Sequence, residues 1–182
     1  RHFVTRVADE IATLDAGVDV TGDVYPYDAW NASPTVLFPR RDFTNRESAQ
    51  FALDHIAPPE AIIVSLYSPE PALVGKTLTE IAGLKEIDPA AALMELIARA
   101  SGPGDRASII GRSMVEADIA RLIAWPHAAI CSDGSMAGLH PRGRGAFPKV
   151  LRVYVREQKL LSLEQAVHKM TGLAAANVGI AD

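Results

Sequence analysis

The sequence predicts an α/β fold built from parallel strands that alternate with helices. Residues 2–15 carry apolar side chains at helical spacing, and Ala16-Gly17 ends this predicted helix. Residues 18–24 are mostly β-branched and apolar, which is typical of a strand. A second short apolar run, 128–131, leads directly into Ser132-Asp133-Gly134. Helix, glycine and strand in this order favour a parallel sheet.

The region between these two strands is interrupted by prolines and contains further strand and helix signals. Residues 28–45 include Pro34 and Pro39 and are predicted to form a loop. Asn45 is predicted to cap a helix that ends at Asp54. The remaining elements are predicted in order as a strand over 61–66, helices over 77–84 and 88–100, a strand over 108–111, a helix from Ser113 or Met114 to Ala124, and final helices over 148–157 and 163–170.

Composition and charge describe a mildly acidic globular chain. Its 182 residues are enough for one domain with a substantial core, and 48% of them are hydrophobic. The net charge of −4 argues against nucleic acid as a partner, and no apolar run approaches the roughly 20 residues of a membrane span. The single cysteine, Cys131, excludes an intrachain disulfide and fits a reducing, cytoplasmic setting. The chain begins at Arg1 without a signal-peptide pattern, and both ends are expected to be cuts through a longer protein.

Each of the two predicted strands ends in a candidate catalytic group. Asp133 follows the second strand, where a carboxylate can bind a metal and accept a proton from an attacking water. The alternative is a turn in which Asp133 only closes the strand. Tyr25 and Tyr27 follow the first strand, where a phenol can donate to a carbonyl oxygen as negative charge develops. The alternative is an aromatic ring whose hydroxyl lies at the rim of the core.

Several motifs, taken together and in order, carry a family resemblance. Ser132-Asp133-Gly134, His140-Pro141-Arg142-Gly143, the Tyr-Pro-Tyr tract at 23–27 and the segment 161–170 resemble the N-acyl-D-amino-acid deacylases, a D-aminoacylase-like branch of the amidohydrolase superfamily. Further matches are residues 35–39, 75–78 and 113–119. The resemblance spans nearly the whole chain but only part of the family's length. It therefore implies a portion of a larger catalytic domain.

The resemblance implies the C-terminal part of a metal-dependent (β/α)8 barrel, with residues 1–182 forming a partial catalytic barrel. On this interpretation strand seven covers residues 18–25 and a lid-like insertion covers about 30–112. The seventh helix covers 114–124, strand eight covers 128–133, and the closing helices lie within 148–170.

The implied activity is zinc-dependent hydrolysis of the amide of an N-acyl-D-amino acid to a carboxylate and a free D-amino acid. In the family, the aspartate that matches Asp133 is both a metal ligand and the proton acceptor. The tyrosine that matches Tyr25 holds the developing oxyanion beside the metal. Both residues are therefore predicted to be catalytic, and Asp133 is also the predicted metal ligand.

The resemblance also implies contacts with the substrate. An arginine in the loop after Tyr-Pro-Tyr is predicted to bind the α-carboxylate, and either Arg40 or Arg41 fits that position; each is alternatively a solvated charge. Ser33 is a weaker polar contact. Met114 falls where the family contacts the substrate side chain, although methionine near a helix start is often core. His140 and Arg142 are predicted to support Asp133 or to stabilise the loop.

The metal ligands do not form a complete set in the sequence. A catalytic zinc takes about three protein ligands, and the five histidines are scattered without an H-x-H or H-E-x-x-H motif. The family's other ligands are expected on strands that precede Arg1. Two alternatives stay open: a cyclic-amide hydrolase of the dihydropyrimidinase or hydantoinase type, and a non-catalytic remnant. Either as part of an enzyme or as a remnant, the chain is expected to pack against a missing barrel half or a second copy of itself.

Overall fold

The computed structural model of the chain describes residues 20–135 and 138–180, which divide into two compact units. The first unit contains residues 20–28, 114–135 and 141–180, and the second contains residues 29–113 and 138–140. The helix predicted over residues 2–15 and the start of the strand predicted from residue 18 lie outside the described residues. In chain order the elements are β1 (Gly22–Val24), β2 (Ala29–Ala32), α1 (Arg46–His55), β3 (Ile62–Tyr67), α2 (Leu78–Lys85), α3 (Pro89–Arg99), β4 (Ala107–Arg112), α4 (Glu116–Ala124), β5 (Ala128–Ile130), α5 (Arg142–Lys149), α6 (Leu163–Met170) and α7 (Gly172–Asn177).

A parallel pair of strands organises the first unit. Strands β1 and β5 pair with Gly22 opposite Ala128 and Val24 opposite Ile130. Helix α5 continues into a π-helical segment, Val150–Glu157, and together with α4 and α6 it covers the strands. The buried core joins residues of both strands to these helices: Val24, Ile119, Ile123, Ala128, Ile130, Val150, Tyr154, Leu161 and Ala166.

Two buried side chains, Lys169 and Tyr154, connect helices of the first unit to neighbouring elements by hydrogen bonds. The ammonium of Lys169 on α6 donates to the carbonyls of Trp125 and Ala128, where the chain enters β5. The hydroxyl of Tyr154, fully buried in the π-helical segment, donates to the carboxylate of Glu116 at the start of α4. Burial and this hydrogen bond both raise the pKa of Tyr154, so its hydroxyl remains protonated. These bonds fix the helices that surround the strand ends.

The second unit is an antiparallel sheet covered by helices. Strand β4 lies between β2 and β3, with Ala29 opposite Arg112 and Ile62 opposite Gly111. Helices α1, α2 and α3 begin with side-chain caps from Asn45, Thr77 and Asp88, which accept hydrogen bonds from backbone amides of the first turn. Their apolar faces and the sheet share one core that includes Leu37, Leu53, Ile62, Val64, Ile81, Leu93 and Ile109.

The structure confirms most of the predicted elements and corrects three. Residues 28–45 are not all loop, because β2 pairs with β4 and a 3-10 helix covers Pro34–Leu37. The helix predicted from Ser113 or Met114 begins at Glu116, so Met114 precedes it. The helix predicted from Pro148 begins six residues earlier, at Arg142, so the predicted His-Pro-Arg-Gly loop is partly helical. Two internal glycines and Pro148 lower helix propensity there and hide the helix from pattern reasoning. Within the described part of the chain, no helix is long and apolar enough to cross a membrane.

Candidate active site

Asp133 and Tyr25 follow neighbouring parallel strands at the same edge. The Cys131 amide donates to the Val24 carbonyl at 3.0 Å. This bond extends the pairing of β1 with β5 to the point where the two strands end. Because the strands are parallel, the two turns meet on the carboxyl side of the pair, where α/β proteins place their ligand-binding groups. The Asp133 side chain is 61% exposed, and its backbone φ of 44° lies in the left-handed region. Aspartate enters that region more readily than most residues.

Arg142 joins these two groups. Its side chain is 8% exposed, and its Nη1 atom lies 2.9 Å from Oδ2 of Asp133. The central carbon (Cζ) of the Arg142 guanidinium lies 4.8 Å from the centroid of the Tyr25 ring, in cation–π contact. Arg142 is the first residue of α5, so the helix delivers a buried cation to the edge where the strands end. The structure thus brings together three of the predicted site residues.

Burial determines the protonation of the groups around Asp133. Burial raises the pKa of the Tyr25 phenol, and the charge and hydrogen bond of Arg142 oppose this shift in part. The phenol is therefore protonated at neutral pH and able to donate a hydrogen bond. Burial also raises the pKa of the Cys131 thiol, and the nearby carboxylates of Asp23 and Asp133 add to the effect. In this structure the Cys131 side chain is therefore a thiol and not a thiolate.

Helix α5 makes a second, parallel contact that the sequence did not predict. The ammonium of Lys149 lies 4.6 Å from the centroid of the Tyr27 ring. Arg142 and Lys149 are seven residues apart, which places them on one helix face two turns apart, opposite two tyrosines two residues apart. The signal for this contact was present in the spacing of the cations, but it is visible only when 142–149 is known to be helical.

The other predicted site residues have separate surroundings. Ser33 caps the 3-10 helix, and its hydroxyl accepts a hydrogen bond from the Thr35 amide at 3.3 Å. His140 is buried, and its Nε2 atom lies 2.9 Å from the Ala29 carbonyl oxygen in the second unit. Met114 is half-buried against the core of the first unit.

Arg40 and Arg41 are both exposed in the second unit, but they line different cavities. Arg40 lines a cavity of about 330 Å³ together with Asp42 and Glu47. The pKa of Asp42 is lowered mainly by the hydrogen bond from the Ser48 hydroxyl, and the charge of Arg40 adds a smaller effect. Arg41, with a φ of 55°, lines a cavity of about 400 Å³ whose other walls are Thr35, Val36, Phe38, Pro39 and Phe43. Arg40 therefore has carboxylate neighbours in its cavity, whereas the walls around Arg41 carry no acid.

The described residues do not form a complete metal site. Over residues 20–135 and 138–180, no group of three or more histidine, cysteine, aspartate or glutamate side chains is placed to hold a metal ion. Asp133 and the nearby Cys131 together offer at most two donor side chains. A catalytic zinc takes about three protein ligands. The donors in this part of the chain therefore do not fit a zinc ion by themselves.

Known proteins align with almost the whole length of the chain. A scan against models of known protein families finds no match. The chain is 36% identical over 183 aligned positions to an N-acyl-D-glutamate deacylase of Alcaligenes xylosoxydans xylosoxydans, which covers 97% of this chain and 32% of the relative. A D-aminoacylase of the same organism is 33% identical over 90% of this chain and 29% of the relative. The chain thus spans about a third of the length of these curated relatives.

Solved structures give the same result. A crystal structure of N-acyl-D-glutamate deacylase from Bordetella bronchiseptica, in complex with zinc and a phosphonate mimic of the tetrahedral intermediate, matches 97% of this chain and 32% of its own, with a TM-score of 0.75 and 29% identity. A crystal structure of D-aminoacylase matches 98% of this chain and 33% of its own, with a TM-score of 0.76 and 30% identity. These matches confirm both the predicted fold class and the resemblance. By sequence and by fold, the chain is similar to about a third of the length of the D-aminoacylase-like N-acyl-D-amino-acid deacylases.

Proposed function

We propose that the whole protein hydrolyses the amide bond of N-acyl-D-amino acids, and that this chain supplies its proton acceptor and a hydrogen-bond donor. The observation that carries the proposal is the convergence of Asp133 and Tyr25 on Arg142 at the carboxyl ends of two parallel strands. The named activities of the relatives supply the bond and the stereochemistry of the substrate.

Asp133 has the properties that a proton acceptor requires. Its side chain is largely exposed, so a water molecule can reach it, and Arg142 holds one of its two oxygens. The other oxygen can take a proton from the water that attacks the amide carbon. As the C–N bond breaks, the same proton passes to the leaving nitrogen, which gives a carboxylate and a free amino acid. The ion pair with Arg142 restricts the orientation of the Asp133 carboxylate, so that its second oxygen can face the attacking water.

Tyr25 is suited to stabilise the negative charge that forms on the amide oxygen. Its phenol is protonated because burial raises its pKa, so it donates rather than accepts. A preorganised donor of this kind is effective because it needs no reorientation while the charge develops. Arg142 packs against the Tyr25 ring and limits its movement.

A zinc ion belongs to this proposal only through the whole protein. When bound, zinc lowers the pKa of its water and so supplies a nucleophile at neutral pH. Asp133 is the residue of this chain proposed to hold it; the remaining ligands must come from outside the described residues. This chain alone is therefore proposed to be inactive and to require the remainder of a barrel, supplied by the same polypeptide or by a second copy.

The contact with the substrate α-carboxylate is proposed for Arg41 ahead of Arg40. Arg40 shares its cavity with Asp42 and Glu47, which would repel a second carboxylate. Arg41 faces a cavity with walls of apolar and hydroxyl groups, where its fork of donors is free of acidic neighbours. Ser33 and Met114 remain proposed contacts of lower weight, since each already serves local structure.

The test is hydrolysis by the whole protein, loaded with zinc. Free amino acid released from N-acetyl-D-glutamate, N-acetyl-D-aspartate and N-acetyl-D-leucine is measured against the three L-enantiomers, with a hydantoin and dihydrouracil as cyclic amides. Turnover confined to one or more D-substrates is expected. Turnover of the cyclic amides alone would replace the proposal with a cyclic-amide hydrolase, and no turnover of any substrate would refute it.

A further inference from the structure

The backbone of the turn that carries Asp133 lies against the backbone of the first turn of α5. A methyl group at Gly134 would lie 2.4 Å from the backbone nitrogen of Gly143. A methyl group at Gly143 would lie 2.4 Å from the carbonyl oxygen of Ser135. Both distances are far below van der Waals contact, and backbone atoms cannot rotate out of the way. Only glycine therefore permits the two segments to approach this closely.

The ion pair between Asp133 and Arg142 lies directly beside this backbone contact. Asp133 directly precedes Gly134, and Arg142 directly precedes Gly143, so the two charged residues are carried by the two segments in contact. Their side chains meet at 2.9 Å. Any added side chain at either glycine would push the segments apart, and the separation of Asp133 from Arg142 would grow with it. The φ of 44° at Asp133 shows that the turn is already in a restricted conformation, with little freedom to compensate.

A third glycine makes a different kind of contact, which provides a comparison within the same helix. A methyl group at Gly145 would lie 2.5 Å from the hydroxyl oxygen of Tyr27, at the far end of a side chain. A side chain can move by rotation about its χ angles, whereas the backbone of Ser135 cannot. Substitution at Gly145 is thus expected to displace Tyr27 and to leave the Asp133–Arg142 pair in place.

We propose that Gly134 and Gly143 are positioning residues that set the distance between Asp133 and Arg142. Their backbone contact holds the carboxylate at the place from which it accepts a proton. The structural part of this inference stands on the geometry of the first unit, and its kinetic consequence rests on the proposed function. The two parts are measured separately.

The structural part is tested by double-mutant cycles of stability in the whole protein. The coupling between Asp133 and Arg142 is measured by urea unfolding from Asp133→Gly, Arg142→Met and the double variant. Glycine removes the carboxylate and tolerates the φ of 44° at this position. The cycle is then repeated with Gly143→Ala present, and with Gly83→Ala present as the control. Gly83 lies in α2 with no atom within 4 Å of an added methyl group. The coupling is expected to vanish with Gly143→Ala and to persist with Gly83→Ala.

An undiminished coupling in the presence of Gly143→Ala would overturn the inference. If that variant does not fold, the cycle is repeated with Gly134→Ala, which presses on the same contact from the other segment. Failure of both variants to fold, while Gly83→Ala folds, would also overturn it, because the contact would then be a requirement of folding and not of position. The double-mutant cycle measures only the free energy of unfolding. Its outcome therefore tests the positioning role even if the proposed function is wrong.

The kinetic part is measured on the deacylation itself. With Gly143→Ala, kcat is expected to fall by about 100-fold with little change in KM, because misplacement of a catalytic group by about 1 Å costs that much. Gly145→Ala and Gly83→Ala are expected to retain more activity than Gly143→Ala. Combining Gly143→Ala with Arg142→Met is expected to cost no more than Arg142→Met alone. Additive losses would show that the glycine acts elsewhere, and an inactive parent protein would refute the proposed function and leave the stability cycle to decide the positioning role.

Discussion

Replacement of Asp133 by asparagine is the most direct test of the proposed chemistry. The asparagine side chain has the volume of the native one and an oxygen that still accepts a hydrogen bond from Arg142, but it cannot take up the relayed proton. The φ of 44° at this position makes asparagine the appropriate substitution, because asparagine and aspartate tolerate the left-handed region. Asp133→Ala would add roughly 1–2 kcal/mol of backbone strain and confuse the result.

The expected effects on stability and on turnover differ greatly in size. The Asp133 side chain is 61% exposed, so its ion pair with Arg142 is partly screened and is worth about 1 kcal/mol or less. The free energy of unfolding should therefore change little in Asp133→Asn. Loss of a general base lowers the rate by about 100- to 10,000-fold. A fall of at least about 100-fold in kcat with an almost unchanged urea midpoint is expected.

The assay measures release of free amino acid from the preferred N-acetyl-D-amino acid by the whole protein, beside urea unfolding of the same preparations. Asp54→Asn is the matched control, since Asp54 is an exposed carboxylate on α1 that accepts a hydrogen bond from Gln50. The control is expected to keep full activity. Near-normal turnover by Asp133→Asn would remove Asp133 from the mechanism, and an equal loss in Asp54→Asn would show that the loss is not specific to the site.

The other predictions concern recognition, pH dependence and metal binding. Arg41→Leu is expected to raise KM about 10- to 150-fold for N-acetyl-D-amino acids but not for their uncharged amides, because a charge-assisted hydrogen bond to the α-carboxylate is lost. Arg40→Leu is expected to change KM little. Equal effects of Arg41→Leu on both kinds of substrate would exclude α-carboxylate recognition by Arg41. Burial lowers the pKa of Lys169 from 10.5, so the unfolded chain binds more protons at this residue and the contribution of Lys169 to stability rises as pH approaches 10.5. By urea unfolding, the stability of the native protein relative to Lys169→Met is therefore expected to increase over this range, and identical pH slopes would contradict this. The 182-residue chain alone is expected to retain less than one zinc per molecule after dialysis, measured by mass spectrometry, and one retained zinc would show a site beyond Asp133.

The sequence predicted the elements whose local signals agree with their environment. Asn45 and Asp88 are strong caps followed by apolar side chains at helical spacing, and α1 and α3 begin after them, as expected. The two parallel strands were also predicted, because each is a short apolar run that ends in a turn. Asp133 and Tyr25 could be proposed as site residues for the same reason. Because parallel strands end at the same edge of a sheet, polar residues that follow them are expected to lie together at that edge.

The sequence could not predict features that depend on partners distant in the chain. Strand β2 has the sequence Ala-Trp-Asn-Ala, which carries little strand signal, and it forms because β4 offers its edge about 80 residues later. The different surroundings of Arg40 and Arg41 are equally invisible in two adjacent identical residues. The Arg142–Asp133 pair could be suspected from the motif, but its distance and burial depend on the packing of α5.

Helix α5 shows why local prediction failed at the site in particular. Its sequence, Arg-Gly-Arg-Gly-Ala-Phe-Pro-Lys, has two glycines that each cost about 1 kcal/mol relative to alanine, and a proline that cannot donate a backbone hydrogen bond. Gly143 and Gly145 nevertheless occupy positions where a methyl group would collide with Ser135 and Tyr27. Helix propensity is thus reduced at the positions where close approach to the two strand-end turns requires glycine. A segment that contradicts its own local preference is expected where position matters more than stability, and α5 is such a segment.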